Sequence, residues 1–323
     1  MDIMLNSLAF AAAAICIGLM GFAVQRGATC TVAAMDEVVT RRSGRRLLSL
    51  LEASLWVAGG LLVAQALHML GKMPAGYPVN VWTILGGALL GLGAFVNGAC
   101  VFGAIARFGS GEWAYVVTPI GFYVGCLSVG AVFAPMAPHK LAGDSPVLQA
   151  SALLAPLFVA FALWRVGRPL LSGLSGITAR VWAPHAATIV IGVTFLFAWL
   201  LVGAWAYTDV LAEFARGMAG SLLARSALLL ALLGGAAFGG WTAGRFQHRP
   251  IRPAQLAKCF AGGVLMGWGS LLIPGGNDGL ILVGMPLLWP YAWVAFGTMC
   301  LTIGAAQLVR RGLNAPLAGN GVA

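Results

Sequence analysis

The sequence predicts an all-α, polytopic membrane protein with about nine transmembrane helices, short re-entrant helices and an inverted internal repeat. Of its 323 residues, 60% are hydrophobic and only 9% are charged. A soluble domain carries about 25% charged residues, so this chain lacks the polar side chains needed to cover a surface in water. The composition therefore excludes a soluble protein and predicts that the chain lies in a lipid bilayer.

Two Gly-rich segments, residues 86–103 and 262–279, indicate an internal duplication. Aligned without a gap, they share Gly86/Gly262, Gly87/Gly263, Leu89/Leu265, Gly91/Gly267, Gly93/Gly269 and Gly103/Gly279. Repeated and interrupted membrane helices are typical of transport pathways. The expected organisation is a single membrane domain, 1–323, with repeat halves of approximately 1–140 and 185–311 linked by 141–184.

Apolar runs of roughly 20 residues predict the individual spans. They lie near 3–24, 47–70, 80–97, 113–134, 147–166, 185–205, 221–241, 255–273 and 290–309. Three shorter apolar pieces, near 27–39, 99–108 and 277–288, are too short to cross. We expect these three to be re-entrant helices, because broken backbone at membrane depth requires protein or a water-filled cavity around it.

The distribution of basic residues predicts the orientation. Nine spans with the N-terminus outside place 15 of the 19 Lys and Arg residues on the cytoplasmic side, as expected because the cytoplasmic loops of membrane proteins concentrate Lys and Arg. This bias explains the net charge of +10, so nucleic acid is not a predicted partner. It also makes the two Gly-rich segments run in opposite directions, which predicts an inverted repeat with the C-terminus in the cytoplasm.

Two cysteines lie where short helices are predicted to begin inside the membrane. Cys30 follows Arg26, and Cys100 follows Asn97 and Gly98. A helix N-terminus stabilises an anion through its free N–H groups and its dipole. A thiol adds a weak donor and a polarisable sulfur, which suits a sulfur-rich anion. Arg26 is expected to favour release towards the cytoplasm, although a buried cysteine is more often a small apolar filler.

A third group, Gly276-Asn277-Asp278, lies in the second repeat, where Gly276 aligns with Cys100. An acid at membrane depth costs roughly 2.5–3.5 kcal/mol on insertion scales, so it usually has a partner or a role. Asn277 or Asp278 could cap the helix that follows. The alternative is that these residues bind the substrate or a coupling proton.

Several classes of protein are excluded. The chain has no GxxxxGK[ST] phosphate loop, which excludes an ATP-driven pump on one chain. It has no HExxH or GxSxG motif, so no enzyme activity, catalytic residue or cofactor is predicted. None of its six cysteines forms a CxxC pair, so no metal site is predicted.

The sequence resembles the YeeE/YedE sulfur-transport family of bacterial inner-membrane proteins. The resemblance rests on RGATC at 26–30, GxGAFxNGACxFG at 91–103 and GGxLxGxG at 262–269. It implies an inverted-repeat fold, uptake of thiosulfate or a related compound, and cysteines that pass the ion by S–H contacts. Cys30 and Cys100 match two of those cysteines, whereas the second-half segment GGNDG has none and offers Asn277 as an amide substitute.

Two functions of different classes follow. The first is a channel-like permease for a small sulfur-containing anion such as thiosulfate. The second is a membrane subunit that docks a cytoplasmic sulfur-carrier or sulfur-oxidation partner on the basic segment Arg245–Lys258. A permease for an unrelated small solute is a third possibility, because of the missing thiol.

Overall fold

The computed structural model describes residues 2–133, 139–150, 153–171, 179–217, 222–247 and 249–314. These residues contain helices and turns and no strand. The helices are α1 (Asp2–Arg26), α2 (Thr31–Arg41), α3 (Arg45–Ala66), α4 (Val81–Asn97), α5 (Val101–Gly109), α6 (Val117–Phe133), α7 (Leu154–Leu171), α8 (Pro184–Val202), α9 (Tyr207–Ala215), α10 (Leu222–Thr242), α11 (Pro253–Leu272), α12 (Asn277–Gly284) and α13 (Pro290–Asn314). The predicted all-α membrane fold is confirmed.

The predicted count of nine spans is not confirmed. Within the described ranges, seven helical segments are long and apolar enough to cross a membrane, or eight if the bent pair α11–α12 counts as one span. The predicted span 147–166 falls short, because residues 146–149 form a turn and the apolar helix covers only Leu154–Gly167. That turn is held by Gln65, which donates to the carbonyl of Leu148 at 2.9 Å.

The three short helices form close to where they were expected, as α2, α5 and α12. The first two continue the preceding helix in single apolar runs, Ser7–Arg41 and Val81–Gly109. Their breaks are short turns with left-handed backbone at Ala28 (φ 46°) and Gly98 (φ 75°). A return to the same face is therefore not confirmed for α2 and α5, whereas α12 is bent by 49° from α11 and is a broken span or a re-entrant loop.

The two Gly-rich helices pack against each other in opposite directions. A Cβ atom added to Gly86 would lie 2.8 Å from the carbonyl oxygen of Gly269, and one added to Gly93 would lie 2.7 Å from that of Gly262. Only glycine allows two backbones to approach this closely. Gly86 and Gly93 of α4 each contact a glycine of α11 that contacts it in return. A two-fold axis between α4 and α11 would produce such pairs.

The surrounding helices follow the same pattern. Helix α4 runs parallel to α13, since Gly87 packs on Ala295 and Gly91 packs on Met299. Helix α6 packs on α11 in the same parallel sense. Helices α1–α6 and α8–α13 each follow the order long, short, long, long, short, long, with α7 between them. The inverted repeat of the complete halves stays a prediction that this order supports.

One face of the molecule, here called the arginine-rich face, is where α5 ends and where α3 and α11 begin. Ion pairs cluster there: Arg46 with Glu37 at 3.2 Å, and Glu112 with both Arg107 at 3.2 Å and Arg249 at 3.7 Å. Exposed pairs of this kind contribute little to stability. They are informative because they show that basic segments distant in sequence share one end of the helix bundle.

Candidate functional site

The N-termini of the four short helices α2, α5, α9 and α12 meet inside the molecule. The backbone N–H of Thr31, in the first turn of α2, donates to the Cys100 sulfur at 3.1 Å, and the Thr31 hydroxyl lies 3.5 Å from Oδ1 of Asn277. The N–H of Thr208, in the first turn of α9, donates to Oδ2 of Asp278 at 3.1 Å. Because a helix start carries partial positive charge, this convergence favours an anion.

The two predicted cysteines are brought together. Cys30 precedes α2 and Cys100 precedes α5, both in extended backbone, and neither side chain caps its own helix. Cys100 is fully buried and Cys30 is half-buried. A Cβ atom added to Gly103 would lie 2.5 Å from the Cys30 sulfur, so a side chain there would collide with it. The glycine leaves the space that Cys30 occupies.

Asn97 and Gly98 form the turn that positions Cys100. The Asn97 amide donates to the carbonyl of Ala99 at 2.7 Å, and its oxygen accepts from Thr118 at 3.0 Å. Gly98 adopts φ 75°, which glycine adopts without strain. Both ends of the Asn97 amide therefore make hydrogen bonds within the protein. Asn97 and Gly98 together fix the start of α5.

Asn277 has a side-chain nitrogen without a partner. The residue is completely buried in the first turn of α12, and Nδ2 makes no hydrogen bond within the described residues. Buried polar atoms are nearly always bonded in folded proteins. The amide of Asn277 is therefore a donor available at the point where the short helices meet.

The expectation that Asn277 or Asp278 caps its own helix stays a prediction. Gly276 precedes α12 and has no side chain with which to cap it. Asp278 accepts from both the N–H and the hydroxyl of Thr208, so it caps α9 from a distant part of the chain. A Cβ atom at Gly276 would collide with the Thr208 side chain, which explains why this position has none. Sequence reasoning did not identify this cap, because Thr208 and Asp278 are 70 residues apart.

A cavity of about 480 Å³ opens from the arginine-rich face and reaches Cys30 and Gly103. We call it the arginine-rich cavity. Its cationic wall residues are Arg46, Arg107 and Arg310, and Asp36 is also present. From the sequence, Arg107 could draw anions inward, although the charge bias alone also explains it. Arg46 and Arg310 were not singled out, because their separation along the chain hides that they share one wall with Arg107.

A second cavity, of about 290 Å³, lies towards the other end of the bundle and reaches Gly275 and Gly279. We call it the opposite cavity, and its wall includes Lys140, Arg216 and Asp209. Between the two cavities is a buried layer, here called the central layer. The central layer consists of Thr31, Cys100, Gly276 and Asn277.

Arg26 is not among the residues that line these two cavities. Its guanidinium donates to the carbonyl of Ala179 and to the hydroxyl of Thr242, each at 2.8 Å, and lies over the Phe22 ring at 4.9 Å. The side chain is buried, with 5% of its surface exposed. This geometry joins the ends of α1 and α10 and gives no support to the expected role in anion release.

Comparisons with known proteins agree with this architecture. Residues 26–305 match the family described as sulphur transport. The chain is 23% identical to the thiosulfate transporter TsuA of Escherichia coli (strain K12), over 91% of this chain and 92% of that protein. It is 27% identical to the thiosulfate transporter TsuA of Spirochaeta thermophila, over 86% of this chain and 92% of that protein.

These relatives are transporters and not enzymes, and the helices here are those of a multi-pass membrane protein. The match covers most of the chain, including the region that holds Cys30, Cys100 and Asn277. The chain belongs to the sulphur transport (YeeE/YedE) family of membrane proteins.

Proposed function

We propose that this protein is a channel-like permease for a small sulfur-containing anion such as thiosulfate. The anion moves between the two cavities through the central layer. The Cys30 thiol contacts it in the arginine-rich cavity, and the Cys100 thiol and the helix N-termini contact it within the layer. The observation that carries the proposal is that two cavities approach the same buried layer from opposite ends. The names of the two relatives support the substrate class.

The chemistry of the central layer suits an anion that carries sulfur. Backbone N–H groups at the starts of short helices supply hydrogen bonds to negative charge. Thr31 already uses its N–H towards the sulfur of Cys100, at 3.1 Å. An anion that replaces this contact exchanges one polarisable sulfur acceptor for another, so passage requires no covalent intermediate.

The orientation of the chain is part of the proposal. The arginine-rich face is the cytoplasmic side of the bacterial inner membrane, with the N-terminus outside and the C-terminus in the cytoplasm. Arg46, Arg107 and Arg310 then attract the anion on the side where it leaves the central layer. The repeat halves, approximately 1–140 and 185–311, are related as an inverted pair in one membrane domain.

Uptake of radiolabelled thiosulfate into proteoliposomes tests the function. The wild-type chain is expected to transport, and Cys30→Ala and Cys100→Ala are each expected to lower the initial rate at least about tenfold, the loss of about 1.4 kcal/mol. Cys300→Ala is the matched control, because Cys300 is a buried cysteine on α13 outside both cavity walls. Wild-type rates in both pathway variants would overturn the thiol role.

The docking alternative depends on the exposed basic segment around Arg249 and Arg252, where Ile251 has 55% of its surface exposed. A cytoplasmic sulfur-carrier protein is the partner it would accept. Transport by the purified chain alone separates the two functions. A chain that transports only when a soluble partner is added would favour the docking subunit.

A further inference from the structure

We propose that Asn277 determines substrate specificity by donating its free amide N–H to an oxygen atom of the passing anion. Sulfur oxyanions without a terminal sulfur, such as sulfate and sulfite, then compete with thiosulfate for the central layer. The inference depends on the proposed function, because it assigns a role within the same pathway. Under this inference, the protein selects the anion by a hydrogen bond to one of its oxygen atoms as well as by the contacts of the two thiols.

The first support is the unpartnered nitrogen. Asn277 is fully buried, and neither donor of Nδ2 has a partner in the described part of the chain. Two acceptors of the same region already have donors. The Cys100 sulfur accepts from Thr31, and both carboxylate oxygens of Asp278 accept from Thr208. The donor therefore has no protein partner among the described residues, and a buried polar group in this state requires an explanation. A hydrogen bond to the passing anion is the explanation proposed here.

The second support is the position of the amide. Its oxygen lies 3.5 Å from the hydroxyl of Thr31, and the N–H of Thr31 contacts the Cys100 sulfur. Asn277 therefore lies beside the thiol contacts, on the segment that leads to the opposite cavity at Gly275 and Gly279. An anion that moves between the cavities meets an N–H donor before or after it meets the sulfurs.

The third support is the difference between the donors. An amide N–H is a strong donor that bonds well to an anionic oxygen, whereas a thiol is a weak donor and a polarisable contact for sulfur. The proposed pathway therefore has a sulfur side, contributed by Cys30 before α2 and Cys100 before α5, and an amide side, contributed by Asn277 of α12. Thiosulfate satisfies both sides with its sulfur and oxygen atoms, and sulfate satisfies the amide side with oxygen alone.

The experiment measures competition during thiosulfate uptake into proteoliposomes, with sulfate or sulfite added outside. In the wild type, each oxyanion is expected to inhibit uptake. In Asn277→Cys, the half-inhibitory concentration of sulfate, measured relative to the half-saturating concentration of thiosulfate for the same variant, is expected to rise by roughly tenfold or more, as for loss of a hydrogen bond to a charged group. Asn277→Ser, which keeps a hydroxyl donor, is expected to stay within about threefold of the wild type.

The outcomes separate the inference from the function on which it depends. Absence of uptake by the wild type refutes the proposed function. Cysteine-dependent uptake that sulfate and sulfite do not inhibit refutes the role of Asn277 and leaves the permease intact. The same holds if Asn277→Cys, eluting like the wild type in detergent, shows an unchanged competition profile. The wild-type measurement can by itself refute the role of Asn277, and Asn277→Ser provides a second variant if Asn277→Cys fails to fold.

Discussion

The pair α2–α5 in the first half and the pair α9–α12 in the second half share one hydrogen-bond geometry but differ in chemistry. In each pair, a backbone N–H in the first turn of one short helix donates to a side chain at the start of the other. Thr31 donates to the Cys100 sulfur and Thr208 donates to the Asp278 carboxylate, both at 3.1 Å. A weak, neutral acceptor therefore occupies one half and a carboxylate occupies the other.

This difference distinguishes the two contacts. The contact between Thr208 and Asp278 is structural, whereas the N–H of Thr31 is available to an external anion. Asp278 accepts from both the N–H and the hydroxyl of Thr208, so α9 is capped by a carboxyl group that belongs to the protein. Cys100 accepts one N–H through sulfur, which binds hydrogen only weakly. The start of α2 is therefore the place where an external anion can replace the protein's own acceptor. Under the proposed function, junctions of the same geometry stabilise the fold in one half and contact the passing anion in the other.

The largest effect on stability is expected from removing the carboxylate. Asp278→Ala leaves the N–H and hydroxyl of Thr208 buried without a partner and should lower the free energy of unfolding by about 2–4 kcal/mol. Cys100→Ala should cost about 1 kcal/mol, because it removes one weak contact and a small volume. Thermal melting in detergent measures both.

A double-mutant cycle with Thr208→Val controls this comparison. If the bond to Thr208 is the cause, the double variant Asp278→Ala/Thr208→Val should be less destabilised than the sum of the single variants. Additive losses would show that Asp278 acts through other neighbours. Equal melting temperatures for Asp278→Ala and Cys100→Ala would contradict the assigned difference between the halves.

An intermediate effect is expected at two glycines that align in the repeat. A Cβ atom at Gly103 would lie 2.5 Å from the Cys30 sulfur, whereas a Cβ atom at Gly279 would lie 3.6 Å from its nearest neighbour, Oδ2 of Asp209. Gly103→Ala should therefore displace the thiol and reduce thiosulfate uptake by roughly fivefold to tenfold, about 1–1.4 kcal/mol. Gly279→Ala should transport like the wild type.

Alanine favours a helix by about 1 kcal/mol over glycine, so helix propensity cannot explain a loss at Gly103. The matched pair thus separates crowding at the thiol from a general effect of adding a methyl group. Full uptake by Gly103→Ala would show that the position of Cys30 is not critical. Equal loss in both variants would indicate that both halves are equally tight.

The smallest effect is expected at the wall of the arginine-rich cavity. Arg310→Gln removes one of three arginines there and should lower uptake by about twofold to threefold at low salt, with less effect at high salt. Arg180→Gln is the control, because Arg180 is exposed and is not part of that wall. The rates are measured at low and high ionic strength. A salt-independent loss would indicate a packing role for Arg310 rather than attraction of the anion.

Much of the fold was predictable from the sequence. Hydrophobic runs predicted most of the helices, and the Gly-rich segments predicted two helices that pack tightly in opposite directions, as Gly86 with Gly269 and Gly93 with Gly262 confirm. The location of Cys30 and Cys100 at helix starts was also predicted. These features depend on composition and on the local order of residues along the chain. They can be recognised in the sequence because a bilayer requires long apolar helices.

The sequence by itself therefore determined the class of protein, the helices and the candidate thiols. The tertiary structure decided which partners meet: Thr31 with Asn277, 246 residues apart, and Thr208 with Asp278. It also placed Arg26 at a helix junction rather than in a cavity wall, and left the amide nitrogen of Asn277 without a partner among the residues that the structure describes. The physical reason is that hydropathy and helix signals are local, whereas a side chain's role depends on the groups that packing brings within hydrogen-bond distance.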